Sequence, residues 1–194
     1  MAECDYNLLL GIQASCLATK RVGGLDKRIY ISTVSSLASV AFGSDNSITS
    51  FTFKASRGFV KYIGKADANA ASSDVEPGAN VNIRNHTISP KVYYETAADL
   101  AALDALIDSE GIFAVVETRA GGLEVFGINK INFDSYGMKV TSNPQTSGVL
   151  INDDTAFLPV ISGGHTNLQL LYNPGTALAT NITALDAQTI DGNS

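Results

Sequence analysis

Ile112-Phe113-Ala114-Val115-Val116-Glu117-Thr118, then Arg119-Ala120-Gly121-Gly122, then Leu123-Glu124-Val125-Phe126-Gly127-Ile128-Asn129 is the stretch on which the fold class turns. Two runs rich in β-branched and aromatic residues flank a step whose glycines supply the positive φ a tight turn needs, so an antiparallel hairpin is expected from Ile112 to Asn129. The same grammar, short apolar runs bounded by Gly, Asn, Asp and Pro, extends in both directions. It predicts further strands at Lys27 to Thr33, Ile48 to Lys54, Phe59 to Ile63, Val81 to Tyr94, Asn132 to Val140, Ala156 to Ile161 and Asn167 to Tyr172. The expected fold is mainly β, an antiparallel β-sandwich or barrel.

One segment breaks the two-residue period. Thr96-Ala97-Ala98-Asp99 opens like a helix cap, and Leu100, Leu103, Leu106 and Ile107 recur at helical spacing before Gly111. A helix over 97–109 is expected, and its single apolar stripe places it flat against the β core. Gly64 to Asn80 and Asn173 to Ser194 show neither period. In the first, Ala68, Asn69, Ala70, Ala71, Ser72, Ser73 and Asp74 offer little apolar area to offset lost backbone freedom, which predicts a long inter-strand loop ordered only by a partner. The division expected is an N-terminal arm over 1–26, a β domain over 27–172 and a C-terminal arm over 173–194.

At 194 residues the chain can bury roughly 70% of its unfolded surface, enough for one core. Thirteen basic against nineteen acidic residues give a net charge of −6, which opposes tight binding of nucleic-acid phosphates. No apolar run reaches the roughly 18 residues that a membrane-spanning helix needs. Glu3 and Asp5 ahead of Leu8-Leu9-Leu10, with Gln13 behind, contradict a secretory leader, so an uncleaved terminus is expected. Cys4 and Cys16 match neither a redox pair nor half a zinc site and read as reduced.

The usual catalytic signatures fail on spacing or residue type. His86 falls in a strand pattern and reads as a strand-face or surface residue, and His165 follows Ser162-Gly163-Gly164, which reads as a turn. Without a Gly-x-Ser-x-Gly elbow, Ser162, His165 and Asp153 make no case for a triad. Gly58 to Lys65 misses the phosphate loop by one residue, and Ala66 stands where a hydroxyl must reach magnesium. Asp153 and Asp154 suit turn capping better than a metal. No enzyme activity and no cofactor or metal is expected. The basic pairs Lys20-Arg21 and Lys27-Arg28 bracket a glycine turn; they read either as a solvated turn or as an electrostatic contact with an acidic face of another subunit.

Several stretches resemble the tail-tube and related virion proteins of tailed bacteriophages, in the flavour associated with phages of Bacteroidetes-type hosts. They are Cys16, Lys20, Gly23-Gly24-Leu25, Lys27-Arg28-Ile29-Tyr30 and Asp45-Asn46-Ser47-Ile48-Thr49 in the first half. In the second half they are Val115-Val116-Glu117, Val125-Phe126-Gly127, Met138-Lys139-Val140, Ser147-Gly148 and Asn152-Asp153-Asp154. The family pattern passes from Gly127 by a glycine turn straight into the next strand, whereas Ile128-Asn129-Lys130-Ile131-Asn132 intervenes here. The resemblance implies a β core with one flanking helix, self-assembly into hexameric rings stacked as a conduit for DNA, and a virion location. It implies that the Gly64 to Asn80 segment bridges rings, that both terminal arms touch neighbouring subunits, and that sheath, neck or baseplate proteins and transiently passing DNA are further partners. Another phage structural component, such as a neck, baseplate or capsid-decorating protein, and a β-rich binding module stand as alternatives. Protein purified without chelator should carry no stoichiometric zinc or calcium by elemental mass spectrometry; one equivalent of either would overturn the reading of Asp153, Asp154 and the two histidines.

Overall fold

The computed structural model describes residues 25–63, 69–78, 82–93, 97–133, 137–142, 145–146, 156–175 and 177–190. In chain order these form β1 (Leu25–Thr33), a 3-10 turn (Val34–Ser36), β2 (Leu37–Phe42), β3 (Ser47–Phe53), β4 (Val60–Ile63), β5 (Ala70–Glu76), β6 (Ile83–Ser89) and β7 (Val92–Tyr93). There follow α1 (Ala97–Ile107), β8 (Ile112–Thr118), β9 (Leu123–Phe126), β10 (Lys139–Ser142), β11 (Gln145–Thr146), β12 (Ala156–Phe157), β13 (Val160–His165), β14 (Leu170–Tyr172) and α2 (Leu178–Asp186). The protein is mainly β, as the sequence predicts. A seven-stranded mixed sheet runs β2-β3-β14-β9-β8-β1-β4, a four-stranded antiparallel sheet runs β10-β13-β6-β5, and β11-β12-β7 make a small third one.

The hairpin forms as read: β8 and β9 pair antiparallel with Glu117 opposite Leu123, and Gly121 takes φ +83° between them. Every residue of β8 from Ile112 to Glu117 is buried, so this strand is covered on both faces. Phe113 and Val115 enter one core with Tyr30, Phe51, Phe59, Tyr172 and Leu185. Ile112, Ala114 and Val116 enter a second core, on the opposite face, with Ile29, Ile31, Ile88, Leu106, Met138 and Ile161. The four-stranded sheet and α1 cover that second face.

The first core is closed by curvature. β3 and β4 stand five places apart in the large sheet, about 24 Å if it were flat. Yet Phe53 of β3 lies 4.9 Å, centroid to centroid, from Phe59 at the foot of β4, and Phe51 lies 5.5 Å from the same ring. The sheet therefore rolls into a half-barrel around its aromatic filling. α2 caps it: Leu185 is fully buried, and Phe59 donates its N–H to the Gln188 carbonyl and accepts one from Ile190.

Several expectations are corrected. The C-terminal arm over 173–194 is part of the domain through Ile190: α2 buries Leu185 and Asn181, with Leu178 packed on the same core, and Leu178, Ile182 and Leu185 recur at helical spacing amid small and polar residues. The loop expected from Gly64 to Asn80 contains β5, which pairs with β6 over all seven positions from Ala70↔Ser89 to Glu76↔Ile83. Backbone hydrogen bonds order this segment where its small side chains could not. β2 carries bulges on either side of Ser39 to Ala41, which scramble its alternation. The single strand expected over Val81 to Tyr94 is broken at Pro90, and that over Ala156 to Ile161 at Pro159, because proline donates no ladder bond. The strand expected over Asn132 to Val140 begins only at Lys139. Residues 1–24, with Cys4, Cys16, Lys20 and Arg21, lie outside the described residues, as do Asp153 and Asp154.

The helix forms where predicted and buries Leu103 and Leu106; the side chain of Leu100 is outside the described residues. Leu103 is 3% exposed, so Leu103→Ala should cost about 2–5 kcal/mol in urea unfolding. A loss well under 1 kcal/mol would show that α1 is not anchored through this residue.

Candidate assembly surface

The four-stranded sheet turns one face to the second core and the other outward, and the register tells which residues line each. Ala71, Ile88, Ile161 and Val140 point inward. On the outward face Ser72 lies opposite Thr87, Thr87 opposite Ser162 and Ser162 opposite Lys139, making one cross-strand row. Asp74, Asn85 and Gly164 make the next row. Side-chain hydrogen bonds tie the surface together: Asn85 donates to the Glu76 carboxylate at 2.8 Å, Ser72 donates to Asp74 at 3.2 Å, and the Thr141 and Ser162 hydroxyls meet at 3.1 Å. The face is therefore made mostly of small hydroxyls and amides with a few charges of both signs, with Ile83 exposed at one end, and among the described residues presents no aromatic ring.

Among the described residues β10 and β5 end the strand order of this sheet; on the β10 side the preceding residue, Met138, exchanges two backbone hydrogen bonds with Ile112 of β8, and β5 has no strand beyond it. β5 exposes Ala70, Ser72, Asp74, Val75 and Glu76 and contains no lysine or proline of the kind that blunts an edge. Of the assembly residues predicted from sequence, Ala70, Ala71, Ser72, Ser73 and Asp74 are thus a strand at a sheet edge. Asn69, just before it, is buried and accepts the Lys91 N–H at 2.9 Å, and Ala68 lies outside the described residues.

The basic residues expected at a subunit contact behave differently. Arg28 is drawn into its own chain, donating to Glu117 at 2.7 Å, and Lys27 belongs to β1 with its side chain outside the described residues. Beside this pair, Asp186 of α2 accepts hydrogen bonds from Tyr30 at 2.8 Å and Lys61 at 2.6 Å. Burial alone would raise the Asp186 carboxyl, but the bonds from Lys61 and Tyr30 outweigh it and hold its pKa below the usual range. Burial, reinforced by Asp186, pushes the Tyr30 phenol up. These contacts fasten α2 across β1 and β4.

Between the sheets lies a pair the sequence did not reveal. His86, expected at a strand face or surface, is fully buried, and its ring stacks on that of His165 with centroids 4.5 Å apart at 22°. Phe126 of β9 meets His86 edge-on at 5.6 Å. His165 is in β13, not in a turn, and Ser162-Gly163-Gly164 runs through the strand because a side chain at Gly163 would press to 3.0 Å on Met138. Burial lowers both imidazole pKa values to about 4, for His86 against the hydrogen bond it donates to the Asn167 carbonyl and for His165 with help from the charge of its neighbour. The signal was the shared parity of His86 with Ile88, which commits both to the inner face. Ser162 faces outward and His165 inward, so β13 itself keeps them apart as catalytic partners.

No group of three or more His, Cys, Asp or Glu able to hold a metal occurs among the described residues. No described helix is long and apolar enough to cross a membrane. Comparison with protein-family models, curated proteins and solved structures finds no match to this chain.

Arg28→Ala should leave the Glu117 carboxylate, 7% exposed, without its guanidinium. An abandoned buried acceptor costs about 1–3 kcal/mol, here toward the lower end because Arg28 is 40% exposed. Adding Glu117→Gln should recover part of that loss in urea unfolding; no loss on Arg28→Ala would mean that the pair contributes nothing.

Proposed function

We propose that this chain is a structural protein of a phage virion, a tail-tube-like subunit that assembles with copies of itself into rings stacked as a conduit for DNA. The single observation that carries the reading is the four-stranded sheet, whose strand order ends at β5 and β10 among the described residues and whose outer face is largely polar and free of rings. An open edge is a template for another strand, and a sheet with one on each side joins head to tail, β5 of one subunit to β10 of the next, until rotation closes a ring. The outer faces then line a continuous inner wall. Hydroxyls, amides and sparse charges, on a chain of net charge −6, would let DNA slide past without being held. Rings of six follow the resembled family. The Ala70 to Asp74 segment, expected to bridge successive rings as a loop, in this reading joins neighbours within one ring by lateral strand pairing. The absence of enzyme activity belongs to the same reading, as does the virion location.

Electron microscopy of the purified chain tests it, with the double variant Ala70→Lys, Ser72→Lys as control. Both positions are exposed, so the fold should survive, and edge lysines oppose strand addition. Wild type should form rings or tubes at high concentration and the variant should remain monomeric with an unchanged circular dichroism spectrum. A wild type that stays a monodisperse monomer, or a variant that assembles as well as wild type, would overturn the proposal.

A further inference from the structure

We infer that the stacked His86 and His165 rings are an acid-operated latch that holds the four-stranded sheet against the seven-stranded one while both rings are neutral. Its parts belong to opposite layers. His86 sits on β6, and Gly127, at the end of β9, donates its N–H to His86 Nδ1 at 3.1 Å. His86 Nε2 carries the proton toward the Asn167 carbonyl at 2.9 Å. Those two bonds fix the neutral tautomer and use both nitrogens. A second proton could enter only at Nδ1, where it would face the Gly127 N–H, donor against donor. Charging His86 therefore breaks a direct bond between the two sheets.

His165 makes the state harder to reach. Neither of its ring nitrogens has a hydrogen-bond partner among the described residues, and it is 3% exposed. An imidazolium there would lie 4.5 Å from the His86 ring, so two charged rings would repel in a poorly solvated space.

The surroundings offer the extra protons little beyond one neutral hydroxyl. From β5, Ser73 stands opposite His86 in register, with its hydroxyl also unpartnered. From β13, Gly163 stands opposite His86, and from β10 and the residue before it come Val140 and Met138. The charged groups nearby are Arg84, opposite His165 and bonded to the Thr166 carbonyl, and Glu124, on the same face of β9 as Phe126. The first opposes a further positive charge. The second is half-buried, with its carboxyl pKa raised by burial.

The sign follows from linkage. Both folded pKa values, about 4, lie below the ordinary imidazole value of 6.5, so the unfolded chain binds more protons between those limits. Stability is therefore fully present above pH 6.5, falls as pH drops, and levels off below about 4.

The test uses the full chain. Nitrogen-15 NMR of the imidazoles should show both rings neutral in the folded protein down to about pH 5. Urea unfolding between pH 7 and 4.5 should show the folding constant falling by up to about tenfold per pH unit for each histidine. His165→Phe keeps the stacked ring and removes one titration, so its pH dependence should be about half as steep. His165→Leu serves the same purpose if the phenylalanine variant does not fold. Hydrogen exchange at pH 5, corrected for the intrinsic rate, should open β6 and β13 amides before those of β8 in wild type but not in the variant. Rings that titrate near 6.5 in the folded protein, equal slopes in wild type and variant, or simultaneous opening of β6 and β8 would each overturn the inference.

Discussion

A strand with no exposed face cannot stand alone, and β8 from Ile112 to Glu117 is such a strand. Every other layer answers the demand it sets. Phe113 and Val115 require cover on one side, which the rolled sheet and α2 provide through Phe51, Phe59, Tyr172 and Leu185. Ile112, Ala114 and Val116 require it on the other, which α1 and the four-stranded sheet provide through Leu106, Ile88, Met138 and Ile161. Burying side chains of this size is favourable by about 1.5–3 kcal/mol each, more than any surface ion pair here can offer.

The two covers differ in kind. The aromatic side is bound by contacts of one ring on another, by α2 wedged at the barrel seam, and by the Tyr30, Lys61 and Asp186 bonds at its rim. The opposite side is aliphatic near α1 but becomes polar toward β5, where Ser73, His86 and His165 lie between the layers. Hydrogen bonds in a dry interior are conditional on protonation in a way that Phe against Phe is not. The sheet proposed to assemble through its edge strands is thus also the one proposed to be held by two neutral imidazoles. Both properties arise from filling one layer with small and polar residues.

Much of the fold was legible because the decisive segments bury both faces or carry a clean period. Ile112 to Thr118 and its glycine turn gave the hairpin, and Leu103 and Leu106 gave α1 and its orientation. The candidate surface was legible only as a location. Ala70 to Asp74 stood out as anomalous for want of apolar area, yet the cause of their order is the backbone of β6, to which side-chain composition is blind. Arg28 looked available because Glu117 is 89 residues away, and His86 looked superficial because Gly127 and Asn167 come from other elements.

By itself, then, the sequence determined the mainly β class, the central hairpin, the helix and the acidic balance, because alternation, turn chemistry and charge are properties of neighbouring residues. Only the tertiary structure decided that Gly163 and Gly164 are a close crossing and not a turn, that the C-terminal segment is a cap, that β5 ends its sheet among the described residues, and that two histidines meet. Each of these depends on which distant backbone lies alongside. That choice is made by the whole set of layers competing to cover β8, and no local window of the chain contains it.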